Sequence, residues 1–123
     1  VLDWTGVKAP PPSPARPGRS YAGYLRGKPP ARWENRLYCE YSMVRSVRTE
    51  NLKLVSRTDN WDSELYDLEA DPGETKNLID APSHARQRRA LEADLNRFFA
   101  RAGAPPHPDW RSTTKQNLTE YQR

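Results

Sequence analysis

Proline is concentrated at the start of this sequence, and its distribution limits the possible folds more than any other feature. Of the twelve prolines among 123 residues, seven fall within residues 1–30: Pro10, Pro11, Pro12, Pro14, Pro17, Pro29 and Pro30. Proline lacks the backbone N–H that helix interiors and central strands need. Residues 1–30 therefore cannot hold a long helix or a central strand, so a regular core has to come from the rest of the chain.

The composition predicts that this core is small. Only 35% of the residues are apolar, 29% are charged, and the mean hydropathy is -1.03. The apolar periodicity is confined to the stretch between Leu37 and Ala102. We therefore expect one compact unit over residues 37–102, preceded by an irregular connector over residues 1–36 and followed by a polar tail over residues 103–123.

Short runs with a period of two begin at Leu37. Leu37, Cys39 and Tyr41 alternate with Tyr38 and Glu40, which predicts a strand with Cys39 half-buried. Three further strands are expected over residues 44–48, 52–56 and 63–68. Turns over 49–51 and 58–60 join these three strands. The turn over 49–51 contains Asn51, a residue type that tolerates a positive φ. Because tight turns join only antiparallel neighbours, the four strands should form an antiparallel meander.

A later segment has the periodicity of an amphipathic helix. Its apolar stripe contains Leu91, Leu95, Phe98, Phe99 and Ala102. The helix should begin near residue 83, capped by residue 80 or 83, and end before residue 103. A sheet with one apolar face and a helix with one apolar stripe bury each other. The fold class is therefore α+β, with a four-stranded antiparallel meander packed against one C-terminal helix.

Glycines mark the ends of shorter elements. Residues 1–7 are typical of the last turn of a helix with Gly6 just beyond its end, and no signal within the chain starts that helix. Residues 21–25 indicate a helical turn before Gly27. Residues 71–74 predict a tight turn in which Asp71 accepts backbone hydrogen bonds and Gly73 supplies the permissive conformation.

Residues able to carry catalysis are scarce. Cys39 has no local base, and His84 and His107 have no second metal ligand at a useful spacing. The acids between Asp59 and Asp71 do not have the spacing of an EF-hand loop and are expected in turns and at the surface. We therefore predict no catalytic, cofactor-binding or metal-binding residue. The sequon at residues 117–119 matters only in a eukaryotic secretory setting.

The net charge of +4 leaves open an anionic partner. Arg86, Arg88 and Arg89 form the densest basic cluster, while Arg97 and Arg101 suit the negative end of the helix dipole. No recognition motif for nucleic acid is present, so no nucleic-acid partner is predicted. No apolar run is long enough to span a membrane, so no membrane partner is predicted either.

Three groups of residues resemble motifs of one enzyme family, and they occur along this chain in the same order as in that family. Residues 64–68, 71–74 and 77–78 resemble the sulfatase pattern ELYDL-x-x-DPxE-x-x-NL. Residues 47–49 and 52–54 resemble the family's "VRT…yKyv" hairpin. Residues 2–7, 18–20 and 25–27 resemble "lDlaGv…GrSL…LLrG", where the chain enters the C-terminal subdomain. The chain thus resembles the C-terminal subdomain of a type I sulfatase of the alkaline phosphatase superfamily.

This resemblance implies a function that the residues present do not supply. The parent enzyme would hydrolyse a sulfate ester in an N-terminal α/β catalytic domain, with a formylglycine and a divalent cation, usually calcium. Residues 39–43 do not match the formylglycine motif C/S-x-P/A-x-R, and no catalytic role is carried over to this chain. The alternatives are a phosphonate or phosphodiester hydrolase of the same superfamily, or a free-standing module that binds polyanions. Periplasmic, secreted and cytoplasmic locations all remain open.

The resemblance carries over structural roles to named residues. Tyr66, Asp67, Asp71, Glu74 and Asn77 match the closing motif, and are expected to hold a turn through side-chain to backbone hydrogen bonds, with Tyr66 beneath the helix. Arg48 matches the hairpin arginine and is expected to pair with an acid of the neighbouring strand. The loops of this subdomain are expected to help shape the substrate cleft.

Large side chains in the connector predict a docking surface. They are Trp4, Tyr21, Tyr24, Leu25 and Trp33. The sheet and helix can cover only some of them, so the catalytic domain of the parent should cover the rest. The isolated chain should expose them as an apolar patch and associate with itself, or leave the segment disordered.

Overall fold

The computed structural model describes residues 2–8, 10–11, 13, 17–58 and 61–105. Two one-turn helices, α1 (Leu2–Thr5) and α2 (Ala22–Leu25), come first. The strands are β1 (Leu37–Tyr41), β2 (Val44–Arg48), β3 (Leu52–Arg57) and β4 (Glu64–Asp67). A 3-10 turn (Pro82–His84) then leads into helix α3 (Ala85–Arg101). His107, the sequon and part of the predicted turn over 58–60 lie outside the described residues.

The four strands form one antiparallel sheet in the order β1-β2-β3-β4, so the predicted α+β meander with a C-terminal helix is confirmed. Thr49 closes the β2–β3 hairpin: its N–H donates to the Leu52 carbonyl at 2.8 Å, and its Oγ1 accepts from the Leu52 N–H at 3.0 Å. The expected positive φ at Asn51 is wrong. The strand-turn residue in the left-handed region is Ser42, with φ 52°, between β1 and β2.

The core lies between one face of the sheet and α3. Strand register places Val47, Leu54 and Leu65 side by side across β2, β3 and β4, and all three are buried. They pack against the helix side chains Leu91, Leu95 and Phe99. Each such side chain contributes about 1.5–3 kcal/mol when fully buried. The predicted apolar stripe of the helix is thus confirmed as the inner face of α3.

The face of strand β1 that points toward the core is not the one that the alternation of the sequence suggested. Tyr38 is half-buried against the core, whereas Leu37, Cys39 and Tyr41 are exposed, Tyr41 at 80%. The Tyr38 ring stacks on Phe98 with centroids 3.7 Å apart. A period of two shows which residues share a face but not which face is buried. Register decides this, because Tyr38 stands opposite the buried Val47.

Helix α3 starts without the expected side-chain cap. Its N-cap residue is His84, and no side chain bonds the first turn, so capping by Asp80 or Ser83 is wrong. The Ser83 hydroxyl instead lies 2.9 Å from Nδ1 of His84. The preceding 3-10 turn brings the chain into the helix through backbone bonds, including one from the His84 N–H to the Ala81 carbonyl at 3.0 Å.

Candidate functional site

The segment after β4 is held by side chains that accept backbone hydrogen bonds. Asp67 Oδ1 accepts from the N–H groups of Glu69 and Ala70, both at 3.1 Å. Asn77 Oδ1 accepts from Leu65 and Ile79, both at 3.0 Å, and its Nδ2 donates to the Ser63 carbonyl at 3.1 Å. Asn77 therefore fastens the loop to the start of β4, through the hydrogen bonds that the closing motif predicts.

Asp71 organises the tight turn between these two anchors. Its Oδ2 accepts from the N–H groups of Thr75 at 2.7 Å and Lys76 at 2.8 Å, and its Oδ1 accepts from the Thr75 hydroxyl at 3.1 Å. The Lys76 N–H bond, followed by those from Thr75, lowers the pKa of the Asp71 carboxyl. The predicted tight turn with Asp71 as an acceptor of backbone hydrogen bonds is confirmed, but the left-handed residue is Glu74, with φ 54°, and not Gly73.

Glu74 and Tyr66 meet on the sheet face turned away from α3. Lys53 Nζ donates to Glu74 Oε2 at 2.5 Å and lies 5.9 Å from the centroid of the Tyr66 ring. The Tyr66 hydroxyl donates to Glu64 Oε2 at 3.2 Å, and burial followed by the Glu64 charge raises the Tyr66 pKa. The expected position of Tyr66 beneath the helix is wrong. Its neighbour Leu65 takes that face, so Tyr66 takes the other.

Arg48 does not form the ion pair that the hairpin motif suggested. Among the described residues, the arginines that pair with a neighbouring strand are Arg57, with Glu64 at 3.0 Å, and Arg45, with Glu40 at 2.7 Å. Arg48 is exposed because it ends β2 on the outer face of the sheet. It borders an open depression of about 330 Å³ whose other lining residues are Asn35, Leu37, Thr49 and Glu50.

Two arginine contacts that the sequence reasoning missed hold β1 and β2 against the helix. Arg36 pairs with Asp94 of α3, whose Oδ2 also accepts from the Tyr38 hydroxyl at 2.9 Å. Arg45 is buried, and its guanidinium lies 4.4 Å from the Phe99 ring centroid. Alternation could have flagged Arg45, because it shares the inner face of β2 with Val47.

The residues with nucleophilic or metal-binding side chains do not converge. Cys39 is exposed on the edge strand, and His84 Nε2 lies 3.9 Å from Asp67 Oδ2. Within the described part of the chain, no group of three His, Cys, Asp or Glu side chains is placed to hold a metal ion. The Asp67 and Asp71 carboxylates are instead engaged by backbone N–H groups. No described helix is long and apolar enough to cross a membrane.

The connector folds into a small cluster rather than one extended segment. Asp3 of α1 accepts from the Ser20 hydroxyl at 2.5 Å, and its carboxylate lies 3.7 Å from the Arg26 guanidinium. Gly23 of α2 allows the chain to turn back sharply, since a Cβ there would lie 2.5 Å from the Lys28 carbonyl oxygen. The predicted helix end at Gly6 and the predicted turn before Gly27 are confirmed, with φ values of 74° and 68°.

This cluster presents aromatic side chains to solvent. We call it the connector surface, and it consists of Trp4, Tyr21, Tyr24, Leu25 and Trp33, which are 37–59% exposed. The Tyr24 and Trp33 rings meet edge to face at 5.2 Å. Arg19 and Arg26 lie over the Trp33 and Trp4 rings at 4.7 and 5.3 Å. Such a set of large exposed side chains is typical of an interaction surface.

Comparison with known proteins gives this geometry a context. Residues 1–101 match the family described as N-sulphoglucosamine sulphohydrolase, C-terminal. The N-acetylglucosamine-6-O-sulfatase of Bacteroides thetaiotaomicron is 33% identical over 104 residues, covering 73% of this chain and 18% of that protein. A solved 2-O GAG sulfatase is 28% identical with a TM-score of 0.69, over 92% of this chain and 25% of that one.

A phosphonate hydrolase shares the fold as well. The phosphonate monoester hydrolase SpPMH of Silicibacter pomeroyi superposes with a TM-score of 0.67 at 23% identity, over 82% of this chain and 23% of that one. The chain therefore spans about a fifth to a quarter of the length of the proteins that it matches.

Proposed function

Because the chain belongs to the N-sulphoglucosamine sulphohydrolase C-terminal family, we propose that it serves as the non-catalytic C-terminal domain of a sulfatase. The observation that carries this proposal is the match over residues 1–101, which includes the connector, the hairpin and the closing motif. The sulfatase resemblance of those motifs is confirmed by this match and by the 33% identical sulfatase. Hydrolysis itself would belong to a separate catalytic domain, and together the two make what we call the intact sulfatase.

The chemistry of the described residues supports the assignment of hydrolysis to a separate catalytic domain. The carboxylates of the closing motif already accept backbone hydrogen bonds, and no described acid cluster fits a divalent cation. The calcium ion and the formylglycine of a sulfatase therefore do not fit the residues described here. We assign both to the catalytic domain and derive no step through them in this chain.

The connector surface is the part of this chain that we assign to domain docking. Trp4, Leu25 and Trp33 expose 54%, 59% and 37% of their surface, although each would be stabilised by burial. Arg36 ties the connector to α3, because it pairs with Glu34 on one side and with Asp94 on the other. Docking of the connector surface on the catalytic domain would bring the β2–β3 hairpin and the Arg48 depression into a fixed position relative to the substrate cleft.

For the substrate, we propose a sulfate ester on a glucosamine-containing saccharide. The family description, the 6-O-sulfatase and the GAG sulfatase all refer to sulfated amino sugars or the polymers that contain them. The phosphonate monoester hydrolase supports the fold alone, because it is only 23% identical. Phosphonate hydrolysis is therefore the competing outcome of the test.

The experiment is a substrate panel applied to the intact sulfatase. It contains 6-O-sulfated and N-sulfated glucosamine, an aryl sulfate and an aryl phosphonate monoester, with released sulfate or phenol measured at steady state. We expect the highest kcat/KM on a sulfated glucosamine. A preference for the phosphonate monoester, or equal rates on the aryl sulfate and the sugars, would overturn the substrate assignment.

A further inference from the structure

The solvent face of α3 carries a row of arginines. Arg86, Arg89, Arg97 and Arg101 are all exposed. At about 100° per residue they fall within roughly 120° of the helix circumference, on the side opposite the buried Leu95. Because the helix rises about 1.5 Å per residue, the row is about 22 Å long. We call these four residues the arginine row.

Little on this face neutralises the arginine row. Within the described part of the chain, the side chains of Arg86, Arg89 and Arg101 take part in no ion pair or hydrogen bond, while that of Arg97 lies 3.3 Å from Asp94. The two acids of α3 face sideways and have partners elsewhere: Asp94 binds Arg36, and Glu92 lies 3.6 Å from Arg88. Among the residues of α3, the row is therefore a strip of positive charge with no unpaired carboxylate beside it.

The surface between the arginines is flat and carries no charge. Residues 90, 93 and 100 are alanines, residue 96 is an asparagine, and all four are exposed. Two arginines stand near the start of the helix and two near its end, so the alanines leave room for a linear molecule to lie along the axis. Guanidinium groups also offer planar, paired donors that match oxyanions better than an ammonium group does.

Helix stability accounts for Arg97 and Arg101 only in part, because they suit the negative end of the helix dipole but repel each other, and it does not account for Arg86 and Arg89. Arg86 and Arg89 lie in the first two turns, where the helix dipole disfavours positive charge, and the first turn of α3 contains no acid. Arg97 and Arg101 are four residues apart, a spacing at which like charges destabilise a helix by a few tenths of a kcal/mol. None of the four packs in the core. The placement of Arg86 and Arg89 therefore does not follow from helix stability.

We propose that the arginine row binds a sulfated polysaccharide outside the catalytic site. This inference rests on the proposed function for the choice of ligand, because a sulfatase acting on glucosamine-containing polymers meets chains with regularly spaced sulfate groups. The row is long enough to contact several of these groups at once. Such an exosite keeps the polymer near the enzyme between successive cleavage events and raises the local concentration of substrate.

The test uses the 123-residue chain and heparin as the probe, with affinity measured by calorimetry over a series of salt concentrations. Two double variants remove charge from the row, Arg86→Gln with Arg89→Gln and Arg97→Gln with Arg101→Gln. A matched control removes two exposed positive charges elsewhere, Lys28→Gln with Arg32→Gln. Circular dichroism checks that each variant keeps its helix.

Each row variant should bind heparin about tenfold more weakly than the wild-type chain, because two exposed ion pairs are lost. The slope of log affinity against log salt concentration should become shallower by roughly 1.5, by analogy with nucleic-acid binding. The control pair should change affinity less than about threefold. N-acetylated, sulfate-free heparosan should bind much more weakly than heparin.

Three results would overturn the proposal: equal losses in the row and control variants, equal affinity for heparosan, or equal affinity for duplex DNA of the same length. Each would mean that net charge alone attracts polyanions. Binding by this chain does not depend on catalysis, so these outcomes remain distinct from a failure of the substrate panel.

Discussion

Asn77 shows how a single exposed amide can determine the course of a loop. Its side chain makes three hydrogen bonds, two to backbone N–H groups and one to a carbonyl, and so holds the residues after the tight turn against β4. The Leu78 N–H then donates to the Leu65 carbonyl at 2.7 Å. The partly buried Leu78 and Ile79 can therefore pack against the core.

Replacing Asn77 with alanine should destabilise the chain by about 1–2 kcal/mol. The reason is that two backbone N–H groups and one carbonyl lose their partner, each such bond contributing about 0.5–1.5 kcal/mol net, with part recovered by water. Urea unfolding followed by circular dichroism measures this. Asn96→Ala on the solvent face of α3 is the matched control and should be neutral or slightly stabilising. Equal effects of the two changes would contradict the assigned role.

Asp71 should give the chain a recognisable pH dependence. Its pKa in the folded state lies below the ordinary value of 3.8, so its stabilising effect is fully present above that value and is lost as the pH falls through the folded-state pKa. Asp71→Asn should therefore lower the thermal midpoint at neutral pH, and the two midpoints should converge in acid. Asp62→Asn is the control. A midpoint difference between Asp71→Asn and wild type that stays constant with pH would refute this account.

At the scale of elements, the sheet and α3 stabilise each other through one row of side chains from each. Leu95 is 2% exposed, whereas Leu37 on the edge strand is 66% exposed. Leu95 therefore belongs to the core, whereas Leu37 lies outside it on the solvent-facing side of β1. This contrast gives the architecture a direct mutational test.

Leu95→Ala should cost about 2–5 kcal/mol, because it removes transfer free energy and leaves a cavity between α3 and the sheet. The same truncation at Leu37 should change stability by less than about 0.5 kcal/mol. Chemical denaturation of both variants gives the comparison. A large loss for Leu37→Ala would mean that β1 turns its other face to the core, as its alternation alone suggested.

The sequence was sufficient for the order and pairing of these elements, since tight turns and an apolar stripe leave few alternatives. It was not sufficient for the orientation of β1, because Leu37 and Cys39 are as apolar as their neighbour Tyr38 and register decides which side is buried. Arg45 was missed for a related reason. An arginine is expected at the surface, and its burial depends on Glu40, Pro105 and Phe99, which only the tertiary structure brings together.

The candidate site also has features that the sequence could predict and features that it could not. The closing-motif residues Asp67, Asp71 and Asn77 could be predicted, because local side-chain to backbone bonds depend on sequence spacing alone. The exposure of Arg48 and the partners of Tyr66 could not, because they depend on which sheet face α3 covers. The arginine row was visible as charge, but its lack of acidic neighbours follows from the sideways ion pairs of Glu92 and Asp94.

At the scale of the whole molecule, the connector surface should make the isolated chain associate with itself. Five large exposed side chains lie within one cluster of short helices, and contact between two copies would remove them from water. Sedimentation velocity over a range of concentrations should reveal reversible association. Trp4→Ser with Trp33→Ser should reduce it, whereas Trp61→Ser, at another exposed tryptophan, should not. Monomeric behaviour at every concentration would contradict this prediction.

The most direct test of the central claim, that the connector surface docks on a catalytic domain, is thiol labelling in two contexts. Cys39 is replaced by serine, and a reporter cysteine is placed at Leu25 on the connector surface or at Ala93, an exposed residue of α3 between the arginines of the row. In the isolated chain, measured at concentrations too low for self-association, both reporters should react at the rate of a free thiol. In the intact sulfatase, the Leu25→Cys reporter should react at least about tenfold more slowly because docking covers it. The Ala93→Cys reporter should keep its rate. Equal reactivity of Leu25→Cys in the two contexts would contradict the account.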